Sequence, residues 1–235
     1  ILGGLGNQMF QYALFLSLKE RFPHEQVMID TSCFRNYPLH NGFEVDRIFA
    51  QKAPVASWRN ILKVAYPYPN YRFWKIGKYI LPKRKTMCVE RKNFSFDAAV
   101  LTRKGDCYYD GYWQHEEYFC DMKETIWEAF SFPEPVDGRN KEIGALLQAS
   151  DSASLHVRRG DYVNHPLFRG ICDLDYYKRA IHYMEERVNP QLYCVFSNDM
   201  AWCESHLRAL LPGKEVVYVD WNQKSLSYFT KGISI

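Results

Sequence analysis

The sequence has no run approaching the roughly 20 consecutive apolar residues of a membrane-crossing helix, and no charged-then-apolar leader opens it. Any membrane association is therefore expected to be peripheral. Its seven cysteines, Cys33, Cys88, Cys107, Cys120, Cys172, Cys194 and Cys203, form no C-x-x-C pair and no zinc spacing, and their number is odd. That pattern argues against a disulfide scaffold or zinc module and fits a reducing cytoplasm. Neither sign of charge dominates, with 30 Lys and Arg against 27 Asp and Glu for a net charge of +3. No global field points to nucleic acid, so an anionic ligand would need a local site. G-x-G-x-x-G is missing, as is the Lys-Ser/Thr pair of a P-loop, so neither a dinucleotide fold nor a P-loop kinase is supported. There is no internal repeat and no low-complexity tract.

The 235 residues are 47% hydrophobic and 24% charged, enough for one large α/β domain or two small ones, each with a core of its own. Aromatic residues reach 16%, with 17 tyrosines. Aromatic faces stack on sugars and nucleobases, so the content favours a carbohydrate or nucleotide partner, although most rings belong in the core.

The chain opens on Ile1-Leu2-Gly3-Gly4-Leu5-Gly6-Asn7-Gln8, read as a strand end that has lost its beginning, a glycine turn and a helix start. Phe10, Ala13, Leu14 and Leu18 recur at helical spacing up to Pro23, and Val27-Met28-Ile29 reads as a short buried strand. Prolines at 38, 54, 67, 69 and 82 break the pattern over the next fifty residues, so helices there should be short. Tyr66 to Lys92 interleaves Tyr68, Tyr71, Phe73, Trp74 and Tyr79 with Arg72, Lys75, Lys78, Lys83, Arg84 and Lys85. The leading reading is a helical hairpin with a solvated basic face; an anionic membrane surface and a glycan acceptor are the others.

Pro133-Glu134-Pro135 with Gly138 marks a linker, and the boundary is placed to give domains 1–135 and 136–235. Beyond it come a helix through Leu146 and Leu147, a strand Ser154–Val157, a helix Leu174–Val188, a strand Leu192–Phe196, a helix with Trp202 and Leu207, and a strand Val216–Val219. Strands alternating with helices imply a parallel sheet, whose ligands sit at the strands' carboxyl ends.

Three strand-end loops follow. The glycines of the first, including Gly4 and Gly6, permit positive φ and close backbone approach, and the helix after them offers amides to a diphosphate. The same glycines also fit a mere tight turn. The second is His156-Val157-Arg158-Arg159-Gly160-Asp161-Tyr162, where two adjacent arginines need something negative to pair with. Extended neighbours face opposite ways, so Arg158 shares a face with His156 and that pair is assigned to phosphates. Arg159 is expected to pair with a local carboxylate such as Asp161, and an ion pair bracing the turn is the structural alternative. In the third, Phe196-Ser197-Asn198-Asp199, the aspartate either caps the following helix or accepts from the N1–H and exocyclic amine of guanine. Asp173-Leu174-Asp175 has a D-x-D spacing but sits at a helix start, where capping is favoured, and His115-Glu116-Glu117 lacks a second cluster; no metal is expected.

Gly3 through Ala13 and His156 through Tyr162 resemble the two signature blocks of bacterial α-1,2-fucosyltransferases, glycosyltransferase family 11. Gly111-Tyr112-Trp113-Gln114 with Tyr118-Phe119, Phe196 to Trp202, and Val219-Asp220-Trp221-Asn222 add to the likeness, which spans most of the chain. The resemblance implies a GT-B architecture, two Rossmann-like domains facing a cleft, 1–135 on the acceptor side and 136–235 binding GDP-fucose, with inversion at the anomeric carbon of GDP-β-L-fucose and no metal or other cofactor. It places Arg158 on the donor β-phosphate with His156 nearby, Asp199 on guanine, and Asn7 near the diphosphate and fucose. The implied acceptor is the 2-hydroxyl of a β-galactoside in a glycan. Asp161, Asp30 and Glu116 are equal candidates for a general base. The family's pattern continues past Asn222 with a segment absent from Ser225 to Ile235, so the second domain is expected to be incomplete.

Rival readings are another GDP-fucose-dependent transferase of α-1,6 or protein O-type, a non-catalytic nucleotide- or glycan-binding module, and a nucleic-acid binder using the basic aromatic stretch.

Overall fold

A computed structural model of the chain describes residues 1–37, 41–164, 166 and 169–222, with the Asp161 side chain outside that description. The chain is mixed α/β and divides into two compact units, Ile1–Pro133 and Glu134–Ile235. Residues 223–235, on which the expectation of an incomplete second domain rests, lie outside the described residues.

The first unit is built around the helix Leu5–Arg21. Its buried residues include Tyr12, Ala13, Leu14, Phe15 and Leu18, more than one stripe, so it is a core helix and not a half-exposed one. Leu14 and Leu18 pack with Val100, Trp113 and Tyr118. Two three-residue strands, β1 (Met87–Val89) and β2 (Tyr108–Asp110), pair in parallel with Met87 opposite Tyr108. The strand expected at Val27–Ile29 is reduced to one parallel bridge, Ile29 with Val55. Ile29 accepts from Ala56 and donates to Pro54, and pairing goes no further because Pro54 has no N–H to extend it. Nor is Ile1-Leu2 a strand. Over Tyr66–Lys92 the helical hairpin gives way to one helix, Tyr71–Ile80, followed by β1. Asn70 caps that helix, accepting from the amides of Arg72 and Phe73, and the following Leu81-Pro82 ends it.

The second unit follows the alternating pattern closely. Its strands β3 (Ser152–Val157), β4 (Leu192–Ser197) and β5 (Glu215–Val219) form a parallel sheet in that order. Ala153, Leu155 and Val157 of β3 and Tyr193 and Val195 of β4 face Tyr177 and Ile181 of the helix Leu174–Arg187 and Cys203 and Leu207 of the helix Met200–Leu207. Both crossover helices thus cover one face, as same-handed connections between neighbouring strands require. Asp137 and Asp173 each cap the helix that follows, accepting from Asn140 and Tyr176 amides at 3.0 and 2.8 Å. Asp175 pairs with Lys178 at 3.0 Å, so the D-x-D spacing serves a helix start. All seven cysteines are free thiols.

Candidate functional site

The residues singled out from the sequence gather at two places, one in each unit. In the second unit Val157 and Ser197 are register partners, so the loops leaving β3 and β4 emerge side by side. Ser197 Oγ donates to the Val157 carbonyl at 2.7 Å and accepts from the Asp199 amide at 2.9 Å, tying the two loops together. Asn198 completes the tie, since its Oδ1 accepts from the amides of Arg159 (2.9 Å) and Gly160 (3.2 Å). A Cβ on Gly160 would stand 2.5 Å from Asn198 Nδ2, so a larger residue after the arginine pair would displace the Asn198 side chain.

The two arginines divide as strand alternation predicts. His156 and Arg158 lie on the exposed side of β3's end, opposite buried Leu155 and Val157. The Arg158 guanidinium lies 4.6 Å over the Tyr162 ring. Arg159 turns the other way, its Nε donating to Asp199 Oδ2 at 3.1 Å and its guanidinium sitting 4.1 Å over Trp202. The partner of Arg159 is therefore Asp199, the carboxylate on the neighbouring strand end; the Asp161 side chain lies outside the described residues. The other oxygen of Asp199 caps the helix, accepting from the Trp202 amide at 3.2 Å. Asp199 is thus both cap and ion-pair partner, with its side chain 38% exposed and able to accept a further donor.

In the first unit the glycine turn is held by glutamines. Gln8 is fully buried; its Nε2 donates to the carbonyls of Gly3 and Gly42, both at 2.9 Å, and its Oε1 accepts from the Glu44 amide at 2.8 Å. Gln11 donates from Nε2 to the carbonyls of Leu2 (2.7 Å) and Asn7 (2.8 Å) and accepts from the Leu2 amide at 3.0 Å. Of the glycines named for this turn only Gly3 has a positive φ, 94°, and a Cβ there would stand 2.6 Å from Asn7 Nδ2. Gly4 is the helix N-cap with an ordinary φ of −73°, and a Cβ on Gly6 would meet nothing within 4 Å. Asn7 Oδ1 accepts from Gln114 Nε2 at 2.9 Å across 107 residues of sequence. Gln114 follows Tyr112-Trp113, whose amides donate to Glu90 at 2.8 and 3.2 Å with Trp113 at a φ of 55°. Gln8, Gln11, Glu90 and Gln114 had no reading of their own in the sequence. Glutamine directly after a glycine turn, twice on one helix, was the available signal.

Among the described residues no group of three or more His, Cys, Asp or Glu is placed to hold a metal ion. His115 instead accepts from the Glu117 amide at 3.3 Å and packs against Phe96 and Tyr118.

The family model for glycosyl transferase family 11 matches residues 1–222. An alpha-1,2-colitosyltransferase of Escherichia coli is 31% identical, covering 96% of this chain and 77% of that protein. The O-antigen biosynthesis glycosyltransferase WbnK, also of Escherichia coli, is 28% identical over 86% of this chain and 72% of its own length. A galactoside alpha-(1,2)-fucosyltransferase 2 of Rattus norvegicus is 35% identical over 88% of this chain and about half of that longer protein. No solved structure matches.

Proposed function

The chain belongs to glycosyl transferase family 11, and from that premise we propose that it is a metal-independent, inverting α-1,2-fucosyltransferase of GT-B type that moves L-fucose from GDP-β-L-fucose to the 2-hydroxyl of a β-galactoside. The observation that carries the reading is the paired strand end of the second unit, where Asn198 and Ser197 fix the loop and Arg158 stands on its exposed side. As the anomeric C–O bond breaks, negative charge grows on the leaving diphosphate, and a fixed guanidinium there lowers the barrier. Asp199, on the adjacent strand end, is assigned to the guanine edge, and His156 to the phosphates beside Arg158. Asn7, held by Gln114 beside the turn carrying Gly4 and Gly6, is assigned to the diphosphate and fucose.

The test is to incubate the protein with GDP-fucose and a panel of β-galactosides and measure GDP release and product linkage. An α-1,2 product with GDP release is expected. Nucleotide binding without turnover on any acceptor would overturn the enzymatic reading in favour of a binding module. A relative named for colitosyl transfer makes a nucleotide-activated colitose the second donor to include, and strong preference for it would revise the donor.

No helix among the described residues is long and apolar enough to cross a membrane. The helix Tyr71–Ile80 nonetheless has an apolar face only half covered by protein: Gly77 is buried while Phe73, Ile76 and Ile80 are 57%, 57% and 72% exposed. Arg72 flanks that face, while Lys75 and Lys78 project from the other side of the helix and exposed Lys83 and Lys85 follow its end. An exposed apolar ridge on a helix that also carries cations suits an anionic lipid surface, so a cytoplasmic location with a peripheral membrane contact there is part of the proposal. Sedimentation with phosphatidylglycerol vesicles is expected, weakened by salt and lost in Ile76→Glu/Ile80→Glu. Equal partition to neutral vesicles, or none to either, would refute the contact.

A further inference from the structure

A cavity of about 430 Å³ in the first unit runs along β1 and β2, from Met87 and Tyr108 at their amino ends to Glu90 and Asp110 at their carboxyl ends. Asp30 directly follows the Ile29 bridge, Glu90 directly follows β1, and Asp110 ends β2; all three line it. Its carboxylate-bearing part thus lies at the end of a parallel sheet where ligands bind. A second cavity, of about 520 Å³, lies among Val27, Met28 and Cys107, at the opposite, amino ends. Leu2 and Gln11 also line the first cavity, and Gln11 donates to the Asn7 carbonyl at 2.8 Å, so it adjoins the glycine turn. Its walls carry Tyr66, Tyr68, Trp74 and Tyr112, rings suited to the apolar faces of a pyranose.

Its three carboxylates differ in how they are engaged. Glu90 is occupied by the amides of Tyr112 and Trp113, and Asp30 accepts from the Ser32 amide and the Tyr108 hydroxyl, both at 2.8 Å. Among the described residues no hydrogen bond or ion pair engages the half-buried Asp110 carboxylate. Burial raises its pKa above the ordinary value and Asp30 adds to the rise, while Lys78 and Lys83 pull the other way. A carboxylate lifted in this way is a better proton acceptor near neutral pH.

We propose that this cavity receives the acceptor sugar and that Asp110 is the base for its attacking hydroxyl. The inference rests on the transferase reading above. A lone pair of the acceptor oxygen forms the new bond to the donor's anomeric carbon. The bond from that carbon to the diphosphate oxygen breaks with its electron pair leaving on the diphosphate, and the hydroxyl proton passes to an Asp110 oxygen. The carboxylate must be ionised for this, so activity is lost as pH falls through its raised pKa.

The experiment uses Asp110→Asn and Trp74→Ala, with GDP-fucose and lactose. Asp110→Asn keeps the shape and removes the base; kcat is expected to fall about 100-fold, with the acidic limb of the pH profile gone and GDP affinity unchanged. Trp74→Ala is expected to raise the KM for lactose about tenfold with kcat nearly kept. Saturation-transfer NMR of lactose on the wild type and Trp74→Ala separates the two layers. Lactose binding lost in Trp74→Ala supports the cavity even where the wild type transfers no fucose, which would count against the donor reading alone. Wild-type kcat and an unchanged acidic limb in Asp110→Asn would overturn the base, and unchanged lactose binding in Trp74→Ala would overturn the cavity.

Discussion

Replacing Arg158 with alanine is expected to cut kcat for sugar transfer by about 100-fold to 1000-fold while leaving the fold intact, with a shift in the melt of no more than a few degrees. Both halves follow from the way the arginine pair divides. Arg158 lies on the exposed side of a strand end whose backbone is fixed by other residues: Asn198 on the Arg159 and Gly160 amides, Ser197 on the Val157 carbonyl. Removing its side chain leaves those backbone ties in place and gives up the contact with the Tyr162 ring. On the proposed reading, what is lost is a cation aimed at charge that develops only as the diphosphate leaves, an interaction stronger in the transition state than before it. The fall should therefore appear in kcat more than in donor affinity. Arg159→Ala is the contrasting variant. It breaks an ion pair with Asp199 and a stacked contact on Trp202, a partly exposed arrangement worth about 1 kcal/mol, and so lowers Tm by a few degrees. The pair of variants is read by activity at a temperature where both are folded, together with calorimetric melts. Wild-type kcat in Arg158→Ala, or a larger loss of kcat in Arg159→Ala than in Arg158→Ala, would reverse the assignment of the two guanidinium groups.

The second unit was legible from its sequence because its elements are long enough to show a period. Six-residue strands such as Leu192–Ser197 and a fourteen-residue helix with Tyr177 and Ile181 buried carry their own signal. Observed bounds differ from the expected ones by one or two residues. The first unit was not legible in the same way. Three-residue strands such as Met87–Val89 are too short for alternation to register, and pairing at Ile29 stops at a proline that the sequence displays but whose partner it does not. The ties that hold the glycine turn span long sequence separations, from Gln8 to Gly42 and from Gln114 to Asn7. Local propensity contains no information on such contacts. Asp199 is the intermediate case, since its capping of the following helix was readable at a strand-to-helix junction, while its pairing with Arg159 required knowing which strands are neighbours.

Gln8 is the clearest product of those long ties, and Gln8→Ala is expected to destabilise the first unit by roughly 3–5 kcal/mol. The side chain is fully buried and makes three hydrogen bonds, to the carbonyls of Gly3 and Gly42 and from the amide of Glu44. Truncation leaves those three backbone groups without that partner, each buried orphan costing about 1–3 kcal/mol where water does not reach it, and adds a cavity. Against a typical total of about 5–15 kcal/mol the loss is large, and a drop in Tm of about 10 °C is expected. Gln8→Glu tests the polarity of the site: a carboxylate would face two carbonyl oxygens, so the near-isosteric change should be destabilising and should ease as pH falls and the group takes up a proton. The sign follows from linkage, because a carboxyl group held among acceptors has a raised folded-state pKa and favours folding only when protonated. The consequence reaches the proposed donor site through Gly3, whose φ is 94°, whose carbonyl accepts from Gln8, and where an added Cβ would stand 2.6 Å from Asn7 Nδ2. Below its melting temperature Gln8→Ala should thus show weakened donor binding as well as lower stability. A melt within about 2 °C of wild type, measured by calorimetry and urea titration, would show that the glycine turn holds its shape without the glutamine.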